Sequence, residues 1–123
     1  MIDALPKLIT VVDDDESVRE SLFDLLEVYG YSVRTYSSAE EFLGSAHITD
    51  TNCLILDISM PVVGGLALYE ELRRRNVDIP VVFMTGHAHK IEMNEAQHLG
   101  PCLYKPFSGT ALRSAIESVL RDH

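Results

Sequence analysis

The stretch Asn52-Cys53-Leu54-Ile55-Leu56-Asp57-Ile58-Ser59-Met60-Pro61 sets an unbroken apolar run against one carboxylate and then turns to loop-forming residues. An apolar run of strand length that does not alternate marks a strand covered on both faces, as in parallel sheets flanked by helices. Asp57 therefore sits where a buried strand opens into a loop. In open α/β sheets ligands bind and chemistry occurs at that end, because side chains leave the core there for a crevice above the sheet.

The flanking sequence repeats the pattern. Leu8-Ile9-Thr10-Val11-Val12 is a β-branched run that stops at Asp13-Asp14-Asp15, which predicts a buried first strand. From Glu16 to Tyr29, the residues Val18, Leu22, Leu25, Leu26 and Tyr29 recur at helical spacing, and Gly30 supplies a left-handed residue to end the helix. Residues 31–36 alternate as a short strand, and Ser38 with Glu41 has the form of a capping box opening a helix through Leu43. Beyond Asp57, Pro61 and Gly64-Gly65 shape a loop, and Leu66, Leu68, Tyr69 and Leu72 mark one face of a helix ending in Arg73-Arg74-Arg75. Residues 79–84 read as a fourth strand closed by Thr85-Gly86, with Pro80 tolerable at its start. A helix over about residues 88–99 has the loosest pattern, with Ile91, Met93, Ala96 and Leu99. Cys102-Leu103-Tyr104 is a short fifth strand, and Ser108 caps a last helix carrying Leu112, Ala115, Ile116, Val119 and Leu120. Strands alternating with helices predict an α/β fold, a doubly wound (βα)5 arrangement around a five-stranded parallel sheet of order 2-1-3-4-5.

At 123 residues and 46% hydrophobic content, a single domain over residues 1–123 is expected, with one site. Ten basic residues against 19 acidic ones give a net charge of −9, which repels nucleic-acid phosphates and anionic membrane surfaces, so no direct nucleic-acid binding is expected. The three arginines read as a solvated helix C-terminus, where positive charge complements the dipole. Residues 1–7 lack the pattern of a signal peptide and no segment is long enough to span a bilayer, so a cytoplasmic location without membrane association is expected. Cys53 and Cys102 read as small buried hydrophobes and not as a disulfide. His87 and His89 have a chelating spacing but no acidic or cysteine companion nearby, and read as surface.

Four strand ends are polar: Asp13-Asp14, Asp57, Thr85 and Lys105. Taken singly, each has an ordinary explanation as a cap, a turn or a surface group. In the order 2-1-3-4-5, however, strands one and three are neighbours, which brings Asp13, Asp14 and Asp57 into one crevice. Carboxylates that close raise one another's pKa or destabilise the fold unless a cation neutralises them. Hard oxygen ligands suit Mg2+, which keeps several waters and bridges carboxylate and phosphate. With the charge screened, one carboxylate is free to attack phosphorus, while Lys105 and Thr85 offer donors to phosphoryl oxygens.

The segments Val12-Asp13-Asp14-Asp15, Leu56-Asp57-Ile58-Ser59-Met60-Pro61, Phe83-Met84-Thr85-Gly86-His87 and Lys105-Pro106-Phe107 together resemble response-regulator receiver domains of two-component systems, over essentially the whole chain. The run from Pro80 to Ala88 is most similar to receivers of nitrogen-fixation-type transcription regulators. The resemblance implies a flavodoxin-like fold and makes Asp57 the phosphoryl acceptor. Asp13 and Asp14 become the Mg2+ pair, Asp14 directly and Asp13 mainly through water, with the Ser59 backbone carbonyl completing the metal shell. Thr85 becomes the switch hydroxyl and Lys105 the lysine that pairs with the phosphoryl group, aimed by a cis peptide before Pro106. It also implies a sensor histidine kinase or phosphotransfer protein as phosphodonor, docking near residues 16–22 and the loop after the fifth strand. Output would pass through the fourth helix, fifth strand and fifth helix, to a downstream protein or an output domain, and homodimerisation on phosphorylation is compatible with it. The chain would be a signalling switch that catalyses its own phosphoryl transfer and slow autodephosphorylation.

The sequence departs from the family pattern in places. The run before Lys105 is short, and Cys102 stands where an aromatic residue usually occurs, leaving Tyr104 on the same strand face as a substitute. Val62-Val63-Gly64-Gly65 lacks the usual acidic residue, and Ser59 and His87 flank the acceptor, where they are expected to influence phosphate lifetime. A haloacid-dehalogenase-type phosphatase also uses a strand-end Asp with Mg2+ but needs a second Asp two residues on, where this chain has Ser59. A phosphorylation-independent pseudo-receiver is the other alternative, and the intact set of Asp13, Asp14, Asp57, Thr85 and Lys105 argues against it. The end of the chain at His123, directly after the last helix, leads to the expectation that no output domain is present, whether in a single-domain regulator or an isolated receiver of a DNA-binding regulator.

Overall fold

The computed structural model describes residues 5–60, 63–86 and 90–122, the side chains of residues 90 and 91 excepted, so Pro61, Val62, His87 and His89 lie outside the described residues. The elements in chain order are β1 (Leu8–Val12), α1 (Glu16–Val28), β2 (Ser32–Tyr36), α2 (Ala39–Leu43), β3 (Cys53–Asp57), α3 (Gly65–Arg74), β4 (Val81–Thr85), α4 (Lys90–Gln97), β5 (Cys102–Tyr104) and α5 (Gly109–Arg121). All strands pair in parallel in the order β2-β1-β3-β4-β5. The expected doubly wound α/β sheet is the one observed.

β3 and β4 are buried at every position, which is what their unbroken apolar runs require. Successive side chains point to opposite faces and so feed two cores. On one face Leu54, Leu56 and Phe83 pack with Phe42 of α2, Leu68 and Leu72 of α3, and Met93 and Ala96 of α4. On the other, Ile9, Val11, Ile55, Val82 and Met84 pack with Leu22 and Leu26 of α1 and Leu112 and Ile116 of α5. No described helix is long and apolar enough to cross a membrane. Cys53 is buried, Cys102 is half-buried, and both thiols are free.

Helix ends follow local chemistry. Gly30 closes the α1 connection at φ 94°, a conformation glycine adopts without strain. Ser38 Oγ accepts from Glu41 N at 3.1 Å, but Glu41 returns its carboxylate to Ser37 N at 3.1 Å and not to Ser38, so the box is shifted by one residue. Ser108 caps α5 through Ala111 N at 3.0 Å. Two of the arginines ending α3 fold back on Glu71, Arg74 and Arg75 each at 2.9 Å, and Arg73 lies over the Tyr69 ring. β4 starts at Val81, later than its apolar pattern begins, since Pro80 has no N–H to give. Its carbonyl nevertheless accepts from Leu54 N at 2.9 Å. The loosely patterned α4 ends at Gln97, earlier than expected, and Leu99 falls beyond it, 38% exposed.

The start of α3 is pressed against the end of β3. A Cβ added at Gly65 would lie 2.7 Å from the Asp57 carbonyl oxygen, and one at Gly64 would lie 2.6 Å from that of Ile58. Backbone occupies both places, so no side-chain rotation relieves the overlap. Gly65→Ala is therefore expected to destabilise the domain by about 1–3 kcal/mol in denaturant titrations, the usual cost of overpacking. Gly44→Ala, whose added Cβ meets nothing closer than 3.4 Å, should change stability far less.

Candidate functional site

The register sets the site. Val12 of β1 lies opposite Leu56 of β3, so the next residues, Asp13 and Asp57, emerge side by side at the upper edge of the sheet. Asp14 follows in the β1–α1 loop, and the three carboxylates each offer an oxygen within 4.8 Å of the others. Asp13 is fully buried and Asp57 is 4% exposed, while Asp14 faces solvent. The expected crevice is present.

Lys105 reaches into it from the end of β5, donating from Nζ to Asp13 Oδ2 at 2.7 Å and to Asp57 Oδ2 at 3.4 Å. The Lys105–Pro106 peptide is cis, as the family resemblance implied, and the Lys105 backbone N–H donates to the Thr85 carbonyl at 2.8 Å. The other carboxylate oxygens take backbone donors: Asp13 Oδ1 accepts from Asp15 N and Asp57 Oδ1 from Ser59 N, both at 2.9 Å. Thr85, 1% exposed at the end of β4, has its hydroxyl oxygen 3.2 Å from that of Ser59. All six residues singled out in the sequence, Asp13, Asp14, Asp57, Ser59, Thr85 and Lys105, thus meet at one place.

Arg19 was not among them. From α1 its Nη1 donates to the Asp13 carbonyl at 2.8 Å, pinning the loop that carries the acidic pair. The available signal was a lone arginine six residues past Asp13 in a stretch otherwise rich in acids. The expected aromatic substitute behaves differently from the family pattern: Tyr104 is 61% exposed, while Cys102 is half-buried against the α2, α3 and α4 side of the sheet.

The charges are out of balance. Burial pushes the Asp13 carboxyl up, Asp57 adds to the rise, and the hydrogen bonds from Lys105 and the Asp15 amide counter only part of it. Burial draws the Lys105 ammonium down, but its hydrogen bond to Asp13 and the charges of Asp13 and Asp57 outweigh that, so it stays protonated above its ordinary range. Three formal negative charges against one positive leave two uncompensated. Oxygen-only donors with that residual charge fit a hard divalent cation, with room for its waters in an open cleft of about 760 Å3. The cleft continues past Val18 and Leu22 of α1 to Pro106 and Phe107, the two segments expected to receive a phosphodonor.

Residues 9–117 match the family described as response regulator receiver domain. The chain is 39% identical to the transcriptional regulatory protein FixJ of Azorhizobium caulinodans over 98% of its own length and 57% of that protein's. It is 38% identical to nodulation protein W of Bradyrhizobium diazoefficiens over 89% of its length and 49% of that protein's. It therefore spans about half the length of the curated relatives it matches. Among solved structures, FixJ-N superposes with a TM-score of 0.83 at 33% identity, covering 100% of this chain and 98% of that one.

The raised Asp13 pKa has a defined sign. An acid that binds its proton more tightly in the folded state makes folding less favourable as pH rises from its ordinary value of 3.8 through its raised one. Asp13→Asn keeps an oxygen acceptor for Lys105 and removes one of the two uncompensated charges. In metal-free buffer at pH 7 it should raise stability by about 1 kcal/mol, roughly 4 °C in midpoint for a domain of this size. The decline of stability above pH 3.8 should also be shallower than in the wild type, as read by denaturant titration across pH.

Proposed function

Because the chain belongs to the response regulator receiver domain family, we propose that Asp57 accepts a phosphoryl group from a phosphohistidine on a sensor kinase or phosphotransfer protein, in a Mg2+-dependent reaction. The observation that carries the reading is the convergence of three carboxylates, a lysine and a threonine hydroxyl on the β1/β3 switch point, with only Asp57 at the end of the fully buried central strand.

Asp57 is held ready for attack. The Ser59 amide fixes one of its oxygens and Lys105 faces the other, so the carboxylate cannot rotate freely. Attack forms the carboxylate oxygen–phosphorus bond as the phosphorus–nitrogen bond to the donor imidazole breaks. Bound by Asp13, Asp14, Asp57 and the Ser59 carbonyl, Mg2+ would neutralise charge on the carboxylates and on the phosphoryl oxygens. Lys105 supplies the second positive charge, and its ammonium has donors enough to turn from Asp13 toward a phosphoryl oxygen. Thr85 offers its hydroxyl to another. Because phosphoryl transfer depends mainly on positioning and charge stabilisation, these groups suffice for the step.

The phosphorylated state then acts by shifting a conformational equilibrium, with Thr85 as the local reporter and the α4, β5 and α5 face as output. Ser59 in place of a second acid disfavours rapid turnover, so the domain works as a switch with slow loss of phosphate. The relatives' names as transcriptional regulators support a role in gene regulation, in the cytoplasm, with the receiver contributing no contact to nucleic acid itself.

Incubation with a radiolabelled small phosphodonor such as phosphoramidate tests the acceptor. Wild-type protein should label in Mg2+ and lose labelling when the ion is chelated, and Asp57→Asn should fall to background. Undiminished, Mg2+-dependent labelling of Asp57→Asn would assign the acceptor elsewhere.

A further inference from the structure

Arg19 is tied to the acidic loop by a bond whose direction leaves no choice. A guanidinium only donates and a carbonyl only accepts, and Arg19 Nη1 lies 2.8 Å from the Asp13 carbonyl oxygen. That carbonyl belongs to the planar peptide group joining Asp13 to Asp14, so the bond fixes the plane from which the Asp14 backbone departs. From this geometry we infer that Arg19 is a positioning residue for the divalent cation: it holds the Asp13–Asp14 peptide in the orientation that keeps the Asp14 carboxylate beside those of Asp13 and Asp57. The inference rests on the functional reading above, and it assigns Arg19 no contact with the ion or with a phosphoryl group.

Asp14 needs such a hold. Its side chain is exposed, so core packing does not direct it, whereas Asp13 is fully buried and Asp57 is 4% exposed. The backbone on either side must do so. Before it, the Asp13 amide donates to the Tyr36 carbonyl at 3.2 Å, continuing the β1–β2 pairing. After it, the Asp15 amide donates to Asp13 Oδ1 at 2.9 Å, and the Asp15 carbonyl accepts from Arg19 N at 3.1 Å. Arg19 therefore closes a ring, its backbone bonded to Asp15 and its guanidinium returning to Asp13, with Asp14 in the enclosed segment. Without the guanidinium, the Asp13–Asp14 peptide has to be ordered when the ion binds, at a cost in affinity.

Two effects of Arg19 on a bound cation oppose each other, which makes them separable. Its positive charge repels a dication, so removing charge alone tightens binding. Its hold on the loop has the opposite sign, and partners that orient metal ligands typically contribute about tenfold or more in affinity. Titration calorimetry of Mg2+ alone into chelator-stripped, desalted protein reads the balance with no phosphoryl chemistry. Arg19→Met removes donor and charge but keeps a good helix former in α1, and should weaken Mg2+ binding about tenfold. Arg19→Lys, which keeps a donor and the charge, should recover most of that loss. Circular dichroism in chelator establishes that each variant is folded, and Arg19→Gln, with the same loss expected, replaces Arg19→Met if that variant is not. Binding by the neutral variant equal to or tighter than wild type overturns the inference while leaving the acceptor assignment standing, even if its melting temperature falls, since the bond is then structural only. A loss in Arg19→Lys as large as in the neutral variant overturns it too. Absence of Mg2+ binding by wild-type protein overturns the functional reading and the role of Arg19 together.

Discussion

The crowding of negative charge at the β1/β3 switch point governs the rest of the site. Two carboxylates within 5 Å repel by roughly 3–4 kcal/mol at an effective dielectric of 20, and Asp13 and Asp57 meet with almost no exposure to water. The sheet order makes this unavoidable, because the register Val12 to Leu56 delivers both side chains to the same level. Lys105 relieves part of the repulsion by bridging the pair, and its chain position at the far edge of the sheet means that β5 must be in place for the relief to exist. Arg19 holds the β1–α1 loop through the Asp13 backbone carbonyl, adding order without a hydrogen bond to the carboxylates. The result is a site whose resting state retains unfavourable electrostatics. A bound divalent cation would relieve them.

That residual imbalance explains why so rigid a platform lies beneath. A carboxylate kept close to its like-charged neighbours drifts apart unless the backbone forbids it. β3 and β4, buried at all positions, fix the Asp57 and Thr85 backbones, and the approach of Gly64 and Gly65 to the carbonyls of residues 57 and 58 locks the strand end against α3. Core packing and electrostatic tension act on the same few residues. Stability lost at the strand ends is supplied by the two apolar layers under them.

The sheet and its order were legible because the largely β-branched run at residues 8–12 and the unbroken apolar runs at 53–56 and 81–84 admit little else, and because alternation of strands and helices restricts the topology. The acidic centre was legible for the same reason, since strand-end residues converge whenever neighbouring strands are known. Contacts that depend on rotamers were not. Arg19 reaching the Asp13 carbonyl, the buried Thr10–Thr51 hydroxyl pair at 2.8 Å and the Ser59–Thr85 pair each join a side chain to a partner that spacing does not specify. Nor was Asn76, which ends α3 with φ at 59°, since three arginines before it already accounted for the helix terminus. The weak pattern of residues 88–99 gave a helix too long at its end, because Met93 and Ala96 reach the core while Leu99, past the end of α4, does not.

The path from site to surface differs from the site in its mechanics. β5 has only three residues, and Tyr104, which shares a strand face with Cys102, is largely exposed. The Cys102 thiol, opposite Phe83 in the register, makes a weak contact with the Gly100 carbonyl at 3.7 Å. A backbone link joins the two strand ends: the Thr85 carbonyl accepts from Lys105 N at 2.8 Å, and Lys105 is also the cation shared by Asp13 and Asp57. Any event that draws the Lys105 ammonium from Asp13 toward a phosphoryl group therefore pulls on β5 from within the site. Lys105 thus joins the acidic centre directly to the edge strand of the sheet.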